Sequence, residues 1–330
     1  MSTCSGAALR LRAPAKLNLG LRLMGVRSDG YHLLESIFAP IDLCDELELA
    51  IVPGATQVEL QVAAAPDARL PEALASVPAG PENLVFRAAE RFCRARGVQG
   101  RVQIRLEKRI PAGAGLGGGS SDAASVLTGL AALVADDGQP DLEGLEELAL
   151  ELGADVPFFL APGPALVTGI GERIEPLEGL PGLELVLANP GISLATAEVY
   201  RAADALGSAL TPPGAGSTMR AFSRLSRRDA TLEEALGELL VNDLEPAARR
   251  LCPPVARLAD ALREAGALAV AMTGSGATVF GVFASGDEAA RVADDLRARA
   301  GSASGGGSAA GWVEATRLVE PGAMDPVSRT

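Results

Sequence analysis

Lysine is almost missing from this chain. Of its 29 basic residues only Lys16 and Lys108 are lysines. There is one histidine, His32, and there are two tyrosines, Tyr31 and Tyr200. Generic positive charge is supplied by arginine, so a position that stays lysine points to a need for a compact charge rather than a planar fork. Aromatic residues are only 3% of the composition against 48% apolar, so the core is expected to be Ala, Leu and Val. Positive charge is also short overall: 29 basic against 42 acidic residues give a net charge of −13. That excludes nucleic acid or an anionic membrane as the main partner and leaves a small-molecule ligand with local binding groups. Cys4, Cys44, Cys93 and Cys252 are scattered without a Cys-x-x-Cys pair, which excludes a disulfide frame or a zinc site and reads as reduced thiols. No apolar run reaches the roughly 18 residues of a membrane span, and no signal-peptide pattern opens the chain. A cytoplasmic protein of one large or two ordinary domains is expected.

Glycine, by contrast, is concentrated. Residues 111–122 read Pro-Ala-Gly-Ala-Gly-Leu-Gly-Gly-Gly-Ser-Ser-Asp. Gly113, Gly115, Gly117, Gly118 and Gly119 leave backbone N–H groups free to turn toward one anion. A second glycine-rich run, 301–311, has no helix start behind it and reads as a linker. The flanks of the first run differ. Val102, Ile104 and Leu106 alternate with polar residues as in a half-buried strand. Ser120, Ser121 and Asp122 are good cap residues before the helix-forming stretch 123–134. Strand, glycine loop and capped helix make a phosphate cradle. No Gly-Lys-Ser/Thr follows, which excludes a Walker-type loop. The spacing Gly113-x-Gly115-x-x-Gly118 also fits a dinucleotide fingerprint, which stays as the runner-up, although regular strand–helix–strand units are absent.

Alternation of Leu17, Leu19, Leu21 and Leu23 predicts a strand over 16–24, with Lys16 and Asn18 side by side on its other face. Asp29-Gly30 marks a turn before Tyr31-His32. Further strands are expected at 47–51, 58–62, 165–168, 183–187, 267–272, 277–283 and 312–319. Helices are expected at 82–96, 121–135, 142–152, 196–205, 231–240, 254–265 and 286–300, with loops at 64–82, 136–140 and 208–217. Asn83 precedes its helix as a cap residue would. Asp155, just after Gly153, reads equally as a cap or as a functional carboxylate. Irregular mixing of strands and helices gives an α+β class. The Pro- and Gly-bearing stretch 161–182 divides residues 1–166 from 167–330.

Four segments together resemble one family. They are Pro14-Ala-Lys16-Leu-Asn18-Leu with Asp29-Gly30-Tyr31-His32, and Lys108-Arg-Ile-Pro111 through Ser120-Ser121-Asp122. Leu152-Gly-Ala-Asp155-Val-Pro157 and Thr273-Gly-Ser-Gly276-Ala-Thr-Val-Phe280 follow. In this order they resemble the galactose/homoserine/mevalonate/phosphomevalonate (GHMP) kinases. The Gly-Tyr-His and Leu-Gly-Ala-Asp-Val-Pro runs resemble the branch acting on 4-diphosphocytidyl-2-C-methylerythritol, in non-mevalonate isoprenoid biosynthesis. The resemblance implies two α+β domains with the active site in their cleft, and ATP-dependent phosphorylation of the substrate's 2-hydroxyl. Lys16 and Asp155 would be catalytic. Lys108, Pro111, Ala112, Gly113, Ala114, Gly115, Leu116, Gly117, Gly118, Gly119, Ser120 and Ser121 would hold ATP together with Asn83. Ser121 would also serve Mg²⁺. Asn18, Tyr31, His32 and Asp155 would bind the substrate, and Pro190-Gly191-Ile192-Ser193 would form a loop on its side. Two departures stand out: Ala114 replaces a frequent glycine, and Asp122 brings negative charge to a phosphate site. A homoserine- or mevalonate-type kinase, or a nucleotide-binding protein without transfer, are the alternatives. Oligomeric state is not legible.

Overall fold

The row of leucines that marks the first strand extends further than its alternation suggests. In the computed structural model, which describes residues 8–69, 74, 76–135, 141–161, 163–207, 217–227, 229–302, 310–319 and 327–329, β1 spans Leu9–Val26. The expected loop at 136–140, all but the last residue of that at 208–217, and residues 303–309 of the 301–311 linker lie outside the described residues. β1 pairs antiparallel with β2 (His32–Val52) along almost its whole length, from Leu9 opposite Leu49 to Val26 opposite His32. β3 (Gln57–Ala64) lies parallel to β4 (Arg101–Lys108), which pairs with β2. β5 (Ala165–Gly169) and β6 (Arg173–Pro176) extend the other half of β2, and β11 (Val327–Arg329) borders β1. The second sheet has the order β10 (Trp312–Arg317), β7 (Glu184–Asn189), β9 (Val279–Phe283), β8 (Ala269–Met272), all antiparallel.

This is the expected α+β arrangement. One parallel pair in two otherwise antiparallel sheets is not the doubly wound sheet that a dinucleotide fingerprint requires, so the runner-up loses its scaffold. Sheet membership changes between Pro176 and Glu184, and the expected division at 166 and 167 falls inside β5.

Helices cover the sheets as their apolar stripes dictate. α1 (Leu84–Arg96) starts at Asn83, whose Oδ1 accepts from Val85 N–H at 2.9 Å, and stops at Gly97. It buries Phe92 with α2 (Gly118–Val134) against Leu47, Leu49 and Ile104 of the first sheet. A second apolar cluster, with Leu17, Ile37, Leu187 and Phe280, joins the two sheets. A third lies on the far side of the second sheet, under α8 (Pro254–Glu264) and α9 (Gly286–Ser302). The remaining helices of this half are α4 (Thr196–Ala205), α5 (Ser217–Arg227), α6 (Leu232–Leu239) and α7 (Glu245–Leu251). α3 (Leu145–Leu152) precedes a 3-10 turn at Pro157–Leu160. One row of β1 side chains enters all three clusters: Leu9, Leu11 and Ala13, then Ala15, Leu17 and Leu19, then Leu21 and Leu23. Among the described residues no helix is long and apolar enough to cross a membrane.

Candidate active site

The glycine loop connects β4 to α2 and lines a cleft of about 350 Å³. The helix begins earlier than its serines suggest. Gly117 is the residue before its first turn, with φ +72°, and no side chain caps it. Ser120, Ser121 and Asp122 therefore lie within the helix rather than at its cap. Glycine is required at 117: a Cβ would sit 2.9 Å from the Phe159 ring and 3.2 Å from Lys16 Cγ. An uncapped helix start behind a loop almost free of side chains suits an anion. Asn83 lines the same cleft while it caps α1.

Lys108 also borders the cleft, but its ammonium is engaged elsewhere. Nζ donates to Asp45 at 2.5 Å and to Asp122 at 2.7 Å, all three side chains being buried. Burial alone would lower the lysine's pKa, but the charges of Asp122 and Asp45 outweigh it and raise it. Burial holds the Asp122 carboxyl above the usual carboxylate range, with Lys108 opposing. Asp45 also accepts from the N–H groups of Arg109 and Ile110, which fixes the entry to the loop. Asp122, the acidic departure, thus turns to Lys108. Its Oδ1 and the fully buried Ser121 Oγ have no hydrogen-bond partner among the described residues.

Lys16 is set differently. Its backbone N–H donates to Leu116 O at 2.9 Å, joining β1 to the glycine loop. Nζ donates to Asn18 Oδ1 at 2.7 Å, lies 4.3 Å from the Phe38 ring centre and stands 3.7 Å from Asp155 Oδ2. Burial depresses its pKa, and Asp155 only partly restores it. Asn18 is itself buried: Nδ2 donates to Ser36 Oγ, and the Asn18 N–H donates to Thr273 Oγ1. Asp155 caps no helix. The chain leaves α3 at Gly153, and Val156 is the residue before the 3-10 turn. The Asp155 side chain keeps 35% exposure, which leaves a reachable carboxylate beside a buried ammonium.

Beyond this pair lies an aromatic corner. The His32 ring packs on Tyr200, with centroids 4.8 Å apart, and His32 Nε2 is 2.7 Å from Asp204 Oδ1. Burial and then the charge of Asp155 push the Tyr200 hydroxyl up to about 12. Tyr31 is exposed, with the Arg27 guanidinium 5.5 Å from its ring centre.

Known proteins are similar to this chain. Family models for the GHMP kinase N-terminal domain and for the GHMP kinase C terminal match residues 83–163 and 219–303. A 4-diphosphocytidyl-2-C-methyl-D-erythritol kinase from Citrifermentans bemidjiense is 42% identical over 288 residues, 87% of this chain and 94% of its own. One from Deinococcus radiodurans is 40% identical, covering 87% and 88%. A crystal structure of a 4-(cytidine 5'-diphospho)-2C-methyl-D-erythritol kinase aligns with TM-score 0.72 at 38% identity, over 94% of this chain and 98% of that one. The chain belongs to the 4-diphosphocytidyl-2-C-methyl-D-erythritol kinase family. A homoserine kinase from Cytophaga hutchinsonii, at 18% identity and TM-score 0.69, shares the fold.

Within this kinase family member, the structure brings Lys16, Asn18 and Asp155 together at the end of the glycine loop. It sets Ser193 against Gly113, where an added Cβ would lie 2.5 Å from the serine Oγ. It does not leave Lys108 free for phosphate, and it does not bring Ser121 to the lining of the cleft. Two participants escaped the sequence reading. Tyr200 had only its rarity as a signal. Asp45 had none, being an ordinary residue far along the chain from Lys108, and Thr273 entered only as the start of the fourth motif, without its bond to Asn18.

Proposed function

We propose that this chain transfers the γ-phosphoryl group of ATP to the 2-hydroxyl of 4-diphosphocytidyl-2-C-methylerythritol, a step of non-mevalonate isoprenoid biosynthesis. The observation that carries this reading is the Lys16–Asp155 pair, 3.7 Å apart, beside a glycine loop and an aromatic corner.

Phosphoryl transfer asks for positioning and charge neutralisation. The loop N–H groups and the uncapped start of α2 hold the phosphates. Asp155 accepts the hydroxyl proton as the new O–P bond forms, and ADP leaves with the electron pair of the broken P–O bond. Lys16 is buried with one partly exposed carboxylate near it, so its charge is under-neutralised and faces the transferring phosphoryl group. Asn18 and Phe38 hold that ammonium in place. An Nε2–H donated to Asp204 leaves His32 Nδ1 as an acceptor for the exocyclic amine of cytosine. Tyr200 and the exposed Tyr31 offer ring faces for the base.

Magnesium is expected with ATP. Among the described residues no group of three or more acidic, His or Cys side chains is placed to hold a metal ion. Mg²⁺ suits such a site, because it commonly binds through few protein oxygens plus substrate phosphates. Ser121, the expected protein ligand, is fully buried on the first turn of α2 and off the lining of the cleft, so it does not fit that role in this structure. When bound, the ion would neutralise charge on the phosphate oxygens.

The test is ADP release with the diphosphocytidyl substrate, homoserine and mevalonate as separate acceptors. ADP is expected with the first alone. Release only with homoserine or mevalonate would replace the substrate, and tight NAD binding without ATP binding would overturn the kinase reading.

A further inference from the structure

A buried polar chain links the glycine loop to the loop after β7. The Gly191 N–H donates to Asn189 Oδ1 at 2.7 Å. Asn189 Nδ2 donates to Thr278 Oγ1 at 2.8 Å, and Thr278 Oγ1 donates to Ala114 O at 2.7 Å. Its direction has no freedom. A backbone N–H at one end can only donate, and a backbone carbonyl at the other can only accept. The amide of Asn189 is thereby oriented, and so is the single hydroxyl proton of Thr278. Asn189 is 5% exposed and Thr278 is 0%, so no water can replace a missing partner cheaply.

Each end of the chain fixes something. Ala114 lies between Gly113 and Gly115, both with positive φ, in the part of the loop that lines the cleft. In a trans peptide the C=O and the following N–H point opposite ways. Holding the Ala114 carbonyl on Thr278 therefore turns the Gly115 N–H off the second sheet. At the other end, Gly191 starts the loop that carries Ser193, and Ser193 rests on Gly113. The two loops thus touch directly and are also tied through β7 and β9.

We infer that Asn189 and Thr278 are positioning residues that couple nucleotide binding at the glycine loop to acceptor binding at the 190–193 loop. The inference rests on the kinase reading above. An acceptor that seats residues 190–193 holds Asn189, which holds Thr278, which keeps the Gly115 N–H aimed for phosphate. A nucleotide that seats the glycine loop does the same in reverse, as linkage requires.

The test is calorimetric titration of β,γ-imido-ATP, with and without saturating 4-diphosphocytidyl-2-C-methylerythritol. In the wild type the acceptor is expected to tighten the analogue by about fivefold or more, the lower end of ordinary coupling. Thr278→Val removes the hydroxyl at constant shape, and the ratio falls to about unity. Asn189→Asp keeps the acceptor for Gly191 but draws the Thr278 proton away from Ala114, and the same loss is expected. It carries the test if Thr278→Val does not fold. Thr278→Ser restores the ratio, which a filler role for the threonine methyl would not. No tightening in the wild type, or tightening kept in both variants, overturns the coupling. Absence of ADP release by the wild type with this acceptor strikes the kinase reading instead, so the two failures are distinct.

Discussion

The two lysines are both buried, yet they are spent in opposite ways. Lys108 has two buried carboxylates within hydrogen-bond distance, and its pKa is raised. Lys16 has a neutral amide, a ring face and one half-exposed carboxylate at 3.7 Å, and its pKa is lowered. Lys108 is fully matched by its buried partners and locks β2, β4 and α2 together at the mouth of the loop. Lys16 is under-neutralised, which is what the proposed contact with the transferring phosphoryl group asks for. Scarcity of lysine pointed to both positions alike. Only the count of carboxylates around each separates a structural charge from a working one.

The largest test of that difference is at the working pair. Lys16→Ala and Asp155→Asn are each expected to lower kcat/KM by about a thousandfold or more, with an unchanged circular dichroism spectrum. Normal turnover in either would remove the role assigned to it. Next comes Lys108→Met. It strands Asp45 and Asp122 as buried carboxylates and should remove about 3–5 kcal/mol of stability at neutral pH, read by denaturant unfolding. An unchanged midpoint would mean that the triad does not hold the loop. His32→Ala should raise KM for the diphosphocytidyl acceptor roughly tenfold and leave KM for ATP in place, as expected for one lost hydrogen bond. An equal rise in both would move His32 out of the acceptor site.

The smallest effect is the dependence on pH, and its sign differs between the lysines. Below its ordinary value of 10.5, Lys16 releases its proton in the folded chain before the unfolded chain does. Stability therefore rises with pH between its depressed folded value and 10.5, and Lys16→Met should lack that rise. The contribution of Lys108 runs the other way. It is fully present below 10.5 and is lost as pH climbs through a folded value above it. Unfolding midpoints collected across the alkaline range for wild type, Lys16→Met and Lys108→Met separate the two slopes.

Local signals were legible. Alternating leucines found β1, Asn83 and Gly97 bounded α1, and the Thr196–Ala205 helix lay where its pattern put it. The first half of β2 was not read, because residues 37–41 are buried on both faces and do not alternate. The start of α2 was misplaced because its cap is a left-handed glycine rather than one of the serines behind it. In the site, Lys16 and Asp155 were found as motif residues. The fate of Lys108 was hidden because Asp45, 63 residues away, reaches it only once β2 and β4 pair. Tyr200 was missed for the same reason: its partner His32 starts β2, far along the chain, and meets α4 only once the chain has folded.

β1 carries Lys16 and Asn18 on a strand whose leucines enter every apolar cluster of the molecule. It also bonds to both halves, through Leu116 at one point and Val241 at another. Neither half can therefore build the reactive lysine's seat without the other. A chain that has lost one half, by truncation or by partial melting, would be silent rather than unselective, and loss of activity on heating should coincide with the collapse of the whole. The strand makes the enzyme report on its own integrity.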